Sequence, residues 1–155
     1  MNKNRKAFLD TIAKAEGTYG RGDDGYDCIV SYAPWPQRPE GGPDYSHHPN
    51  IKIYLPKRKI NSTAAGRYQI LHRYYIAYAV QLRLPDFGHD SQDAIALQLI
   101  RECRALDLVD QGKFDRALKL CSSRWASLPG AGYGQPERSL AELKAFYVKV
   151  GGVVA

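Results

Sequence analysis

The sequence predicts an α+β domain: several helices, with a small sheet inserted after the first of them. Three observations carry this expectation. Apolar residues recur at helical spacing near the start and again through the second half of the chain. Residues 17–50 are dense in glycine and proline and hold a short β-branched run, which reads as irregular loop around a little strand. With 155 residues, 44% of them hydrophobic, the chain has enough apolar surface for one real core. The expected organisation is therefore one domain, 1–155, with two lobes, the β lobe at about 20–60.

Taken in order, residues 3–16 place Phe8, Leu9, Ile12 and Ala13 on one helical face, and Gly17 suits the left-handed residue that ends a helix. Residues 26–32 look like a strand, with Ile29 and Val30 β-branched, and 51–55 alternate as a second. A long helix is expected over 66–83, since Tyr68, Leu71, Tyr75, Tyr78 and Leu82 keep helical spacing and Pro85 stops it. Ser91 is a candidate cap for a helix over 92–105, with Asp93 in its first turn. Shorter helical patterns follow at 112–120 and 137–150, separated by a Gly- and Pro-containing loop over 125–135.

The net charge of +6 favours an anionic partner: nucleic acid, a membrane surface or an acidic polymer. The charge is uneven. No acidic residue stands between Asp44 and Asp86, while Lys52, Lys57, Arg58, Lys59, Arg67, Arg73 and Arg83 do. Cys28, Cys103 and Cys121 match neither a zinc spacing nor a disulfide framework and read as buried reduced thiols. No run approaches the 18 apolar residues of a membrane helix, and the basic start lacks the apolar core of an export signal. A soluble cytoplasmic product without membrane insertion is expected. His47 and His48 are adjacent and His72 and His89 lie far off, so no metal site is expected.

Glu16 is the most informative residue. It follows Phe8 and Ile12 by fours, so its carboxyl continues an apolar stripe, and it sits where the helix dipole is negative. Burial and that dipole both disfavour ionisation, which suits a general acid near neutral pH. A solvated glutamate at a fraying helix end has the same spacing. Ser62, Thr63, Ala64, Ala65, Gly66, Arg67, Tyr68 and Gln69 form a small-residue segment that lets a ligand approach the backbone; an ordinary helix cap has the same pattern. Gly130, Gly132 and Gly134 set Tyr133 on a bare backbone surface of the kind sugars stack on, or simply turn the chain. Among the loop acids Asp27 is the best second carboxylate, between Tyr26 and Cys28 on an expected strand, while Asp23 and Asp24 read as turn residues.

The order of these features resembles the lambda-type endolysins of bacteriophages. The resemblance is carried by Ala15-Glu16-Gly17-Thr18, Gly25-Tyr26-Asp27, Asp44-Tyr45-Ser46, Ala65-Gly66-Arg67-Tyr68-Gln69, Ser91-Gln92-Asp93-Ala94 and the run over 125–135. It implies a lysozyme-like fold, with a mainly helical lobe, a small antiparallel β-sheet lobe and a cleft between. It also implies a lytic transglycosylase that cuts the MurNAc-β-1,4-GlcNAc bonds of peptidoglycan glycan strands and leaves 1,6-anhydro ends, without a cofactor. The catalytic glutamate maps onto Glu16, and sugar-binding positions onto Asp27, Gln69 and Tyr133, with Ser62, Gly66 and Tyr68 in the same segment. A monomer that waits in the host cytoplasm, and needs a separate pore-forming protein to reach the wall, completes the picture. The chain departs from the family's usual pattern at Cys28, at Ser31-Tyr32 in place of Gly-Gly, at His47, at Ala64 and around Trp35-Pro36.

Two other functions fit parts of the sequence. A hydrolytic lysozyme would use a second carboxylate. A basic nucleic-acid-binding module would use the acid-free stretch with Tyr54, Tyr68, Tyr74, Tyr75 and Tyr78, but those tyrosines mostly keep core spacing and no nucleic-acid motif accompanies them.

Overall fold

Helix α1 (Lys3–Glu16) begins where the Asn2 side chain accepts the backbone N–H of Asn4 at 2.8 Å. It ends where Gly17 turns left-handed (φ 77°) and returns its N–H to Ala13 and Lys14. Phe8, Ile12 and Ala13 are wholly buried, as the periodicity requires, and the two larger side chains contribute roughly 1.5–3 kcal/mol each. The computed structural model describes residues 1–132 and 138–155. They divide into two compact units, Met1–Gly17 with Ala96–Ala155, and Thr18–Ile95.

In the first unit, α1 packs on α4 (Leu106–Asp110) and α6 (Leu140–Lys149), and α5 (Phe114–Cys121) on both α4 and α6. Phe114 joins them, meeting Phe8 edge-on at 6.0 Å and Tyr147 at 4.5 Å between ring centroids. Both chain ends are tied to this core. Arg5 grips Asp110 with two bonds of 2.7 and 2.6 Å, and the Val153 N–H reaches the Asn4 side chain. Ser139 and Glu142 cap α6 reciprocally, so this helix starts three residues later than its pattern suggests. The short α4 has no counterpart in the sequence reading. Cys28 and Cys121 are buried free thiols, but Cys103 is only half-buried.

The second unit holds β1 (Ile53–Leu55) and β2 (Ile60–Ser62), paired antiparallel with Ile53 opposite Ser62 and Leu55 opposite Ile60. It also holds α2 (His72–Gln81) and the start of α3 (His89–Glu102). Its core is aromatic: Trp35 stacks parallel to Phe87 at 6.2 Å, and His48 and Tyr75 pack on the same ring.

The α+β expectation holds, while several boundaries move for physical reasons. Residues 26–32 form turns rather than a strand. Only Ile29 makes a bridge, to Ala65, and Val30–Tyr32 is a single 3-10 turn. The helix expected over 66–83 starts only at His72, because Ala65 and Ile70 exchange both backbone bonds (3.1 and 2.9 Å) and close residues 65–70 into a tight loop. Ser91 lies inside α3. Its hydroxyl donates to the Asp86 carboxylate at 2.7 Å, which also takes the Gly88 N–H at 2.9 Å just before the helix.

Candidate active site

Glu16 is the last residue of α1, and the stripe that buries Phe8 and Ile12 delivers it half-buried to the loop at 125–132. That loop is fixed by Trp125 and Leu128, both buried, and by the Leu128 N–H on the Trp125 carbonyl. It presents the Ser127 hydroxyl, which donates to Glu16 Oε1 at 2.5 Å. The Ser127 carbonyl in turn accepts the Arg138 N–H at 3.1 Å. Burial raises the Glu16 pKa to about 7; the Ser127 bond acts against it, because it favours the carboxylate. Near neutrality the group is thus divided between acid and base forms, and is able to act chemically as either. Ser127 carries no role in the sequence reading, since its partner lies 111 residues away.

The other expected positions belong to the second unit, except Tyr133, which lies outside the described residues. Two of them, Gly66 and Tyr68, are set by buried side chains, Gln92 and Arg67. Gln92 accepts the Arg67 N–H at 2.8 Å and donates to the Tyr26 and Phe87 carbonyls. Gly66, at φ 81°, exists for this contact: a Cβ there would stand 2.3 Å from the Gln92 oxygen. The Arg67 guanidinium bonds Asp24 at its carbonyl (2.9 Å) and its carboxylate (3.1 Å), and lies over the rings of Tyr19, Tyr26 and Tyr68. Arg67 therefore contributes no surface charge to the acid-free stretch.

Tyr68 is 1% exposed, and its hydroxyl donates to Asp93 at 2.6 Å beside that of Tyr26 at 2.9 Å. Burial, then the Asp93 charge, push the Tyr68 hydroxyl well above its ordinary pKa, so it remains a donor. Gln69 (φ 51°) folds its side-chain amide onto the Gly66 and Cys28 carbonyls, at 2.9 and 3.4 Å. Ser62 closes β2 and accepts the Ala64 N–H at 3.2 Å. Asp27 sits in a turn rather than on a strand and accepts the Asp23 N–H at 2.9 Å. Asp24 and Asp23 do more than turn the chain: Asp23 receives the Tyr45 hydroxyl (2.8 Å) and meets the His89 ring (2.6 Å).

His48 is buried, accepts the Asn50 N–H at Nδ1 and faces the Ile70 carbonyl with Nε2 at 2.7 Å. That pattern fits the neutral ring with its proton on Nε2, and burial lowers its pKa to about 4. Among the described residues, no three His, Cys, Asp or Glu side chains are placed to hold a metal ion.

The fold is that of a lysozyme. The solved bacteriophage lambda lysozyme complexed with a chitohexasaccharide superposes with a TM-score of 0.91 at 45% identity, covering 100% of this chain and 98% of that one. A second lambda lysozyme structure gives 0.86 at 46% identity over the same shares. The endolysin family model matches residues 6–154. The endolysin of Escherichia phage lambda is 48% identical over 99% of this chain and 95% of its own length, and that of Escherichia phage P2 is 45% identical over 99% and 96%. The chain belongs to the endolysin family. It is a peptidoglycan-cleaving enzyme of the lysozyme-like class.

Proposed function

We propose that this endolysin is a lytic transglycosylase that cuts MurNAc-β-1,4-GlcNAc bonds with Glu16 as its single acid and base. The observation that carries this reading is the Glu16 carboxyl, raised to about 7 by burial and bonded by Ser127. Protonated Glu16 gives its proton to the glycosidic oxygen as the bond to the muramyl C1 breaks. The substrate's own acetamide stabilises the cation at C1. Glu16, now a carboxylate, takes the proton of the muramyl C6 hydroxyl, whose oxygen closes on C1 to form the 1,6-anhydro ring. One residue serves in turn as acid and base, and the C6 hydroxyl competes with water because it is intramolecular.

In this reading Asp27, Gln69 and Tyr133 bind sugar and transfer no proton. Ser62, Gly66 and Tyr68 hold the segment that carries Gln69: Gly66 through Gln92, and Tyr68 through Asp93. The chitohexasaccharide bound by the lambda lysozyme, a chain of N-acetylated sugars, supports a glycan-strand substrate. The enzyme acts as a monomer on the cell wall. It stays in the host cytoplasm until a separate pore-forming protein admits it; no helix among the described residues is long and apolar enough to cross a membrane. Neither nucleic acid nor a cofactor takes part.

Mass spectrometry of the muropeptides released from purified wall tests the chemistry. The expected products carry anhydro ends, lighter by one water than reducing ends. Reducing ends throughout would mean hydrolysis and a second catalytic carboxylate.

A further inference from the structure

Tyr32 is 78% exposed, so its ring fills no core. It is nonetheless held in a costly way. Ser31 (φ 57°) and Tyr32 (φ 61°) are consecutive residues with side chains in the left-handed region, which glycine occupies without penalty. The Arg21 guanidinium lies 4.0 Å from the ring centroid and sets the orientation of the ring by covering one face. The exposure leaves the opposite face to solvent.

The backbone around Tyr32 is laid along the small-residue segment of the second unit. The Val30 N–H bonds the Ala64 carbonyl at 3.2 Å, Ile29 bridges Ala65, and the Cys28 carbonyl takes the Gly66 N–H at 2.8 Å and the Gln69 amide. A strained backbone that presents an oriented aromatic ring to water, at the edge of a glycan-binding segment, points to a ligand. The ligand chemistry suited to one open aromatic face is the C–H face of a pyranose.

We infer that Tyr32, with Arg21 fixing its ring, is a stacking platform for one sugar ring of the glycan strand. This rests on the reading of residues 62–69 as glycan-binding. The platform acts on affinity and not on proton transfer.

The test compares wild type, Tyr32→Gly and Tyr32→Phe by titration with an N-acetylglucosamine hexamer, by steady-state kinetics on purified wall, and by thermal unfolding. Tyr32→Gly is expected to weaken hexamer binding and raise KM roughly three- to tenfold with kcat unchanged. The same variant is expected to raise Tm, because glycine removes the backbone strain. Tyr32→Phe, which keeps the ring, is expected to bind as wild type does. Wild-type affinity in Tyr32→Gly would overturn the platform. So would equal losses in both variants, which would place the contact at the hydroxyl. A wild type that binds the hexamer through Tyr32 but cleaves no wall would overturn the proposed function and leave the platform standing.

Discussion

At the scale of the residue, the proposed chemistry turns on one carboxyl and its partner. Glu16 was legible because a spacing of four put it on the stripe of Phe8 and Ile12, and a stripe implies burial. Ser127 was not, since no local pattern announces a contact 111 residues away in the chain. Its bond favours the carboxylate. Removing it in Ser127→Ala is expected to move the Glu16 pKa further up, and with it the alkaline limb of kcat/KM, by roughly half to one pH unit. kcat should fall while KM stays, because the hydroxyl orients the carboxyl and touches no distant part of the substrate. A pH–rate profile of the variant checks this. Arg67 shows the reverse failure. Composition counts it as surface charge, yet Asp24 and three tyrosine rings make it a buried structural cation.

At the scale of the element, the long helix expected over 66–83 was half legible. From His72 the helical spacing governs. Before it, the two bonds between Ala65 and Ile70 and the buried Gln92 side chain override propensity and spacing alike. The loop tolerates only glycine at position 66. Gly66→Ala would meet the Gln92 oxygen at 2.3 Å in a left-handed conformation, so Gln92 must leave one or more of its bonds to Arg67, Tyr26 and Phe87. A loss of roughly 2–4 kcal/mol is expected from strain and broken buried bonds together, measured by denaturant unfolding. The same loop carries Gln69, so, with Gln69 binding sugar as proposed, glycan affinity should fall as well. β2 and α4 escaped notice because elements of three and five residues show too little of any period.

At the scale of the whole molecule, two buried groups make stability respond to pH in opposite senses. Glu16 is raised from 4.5 to about 7, so the folded state holds a proton that the unfolded state releases. Its contribution is complete below about pH 4.5 and is lost as pH rises through 7, a swing of roughly 3 kcal/mol. His48 is lowered from 6.5 to about 4, so its contribution is complete above pH 6.5 and is lost as pH falls toward 4. The two oppose each other across the interval they share. Glu16→Gln removes one of them. This variant is expected to lose lysis, to be more stable than wild type at pH 8, and to lose that advantage by pH 4.5. Chemical denaturation of both proteins across the range checks the sign.

The measurement that bears most directly on the catalytic role of Glu16 is a 13C NMR titration of its carboxyl carbon in the folded enzyme, assigned by its absence in Glu16→Gln. A midpoint near 7, coinciding with the alkaline limb of kcat/KM, is the expected result. A midpoint near the ordinary glutamate value of 4.5 would leave the residue ionised at working pH and would contradict its role as the acid.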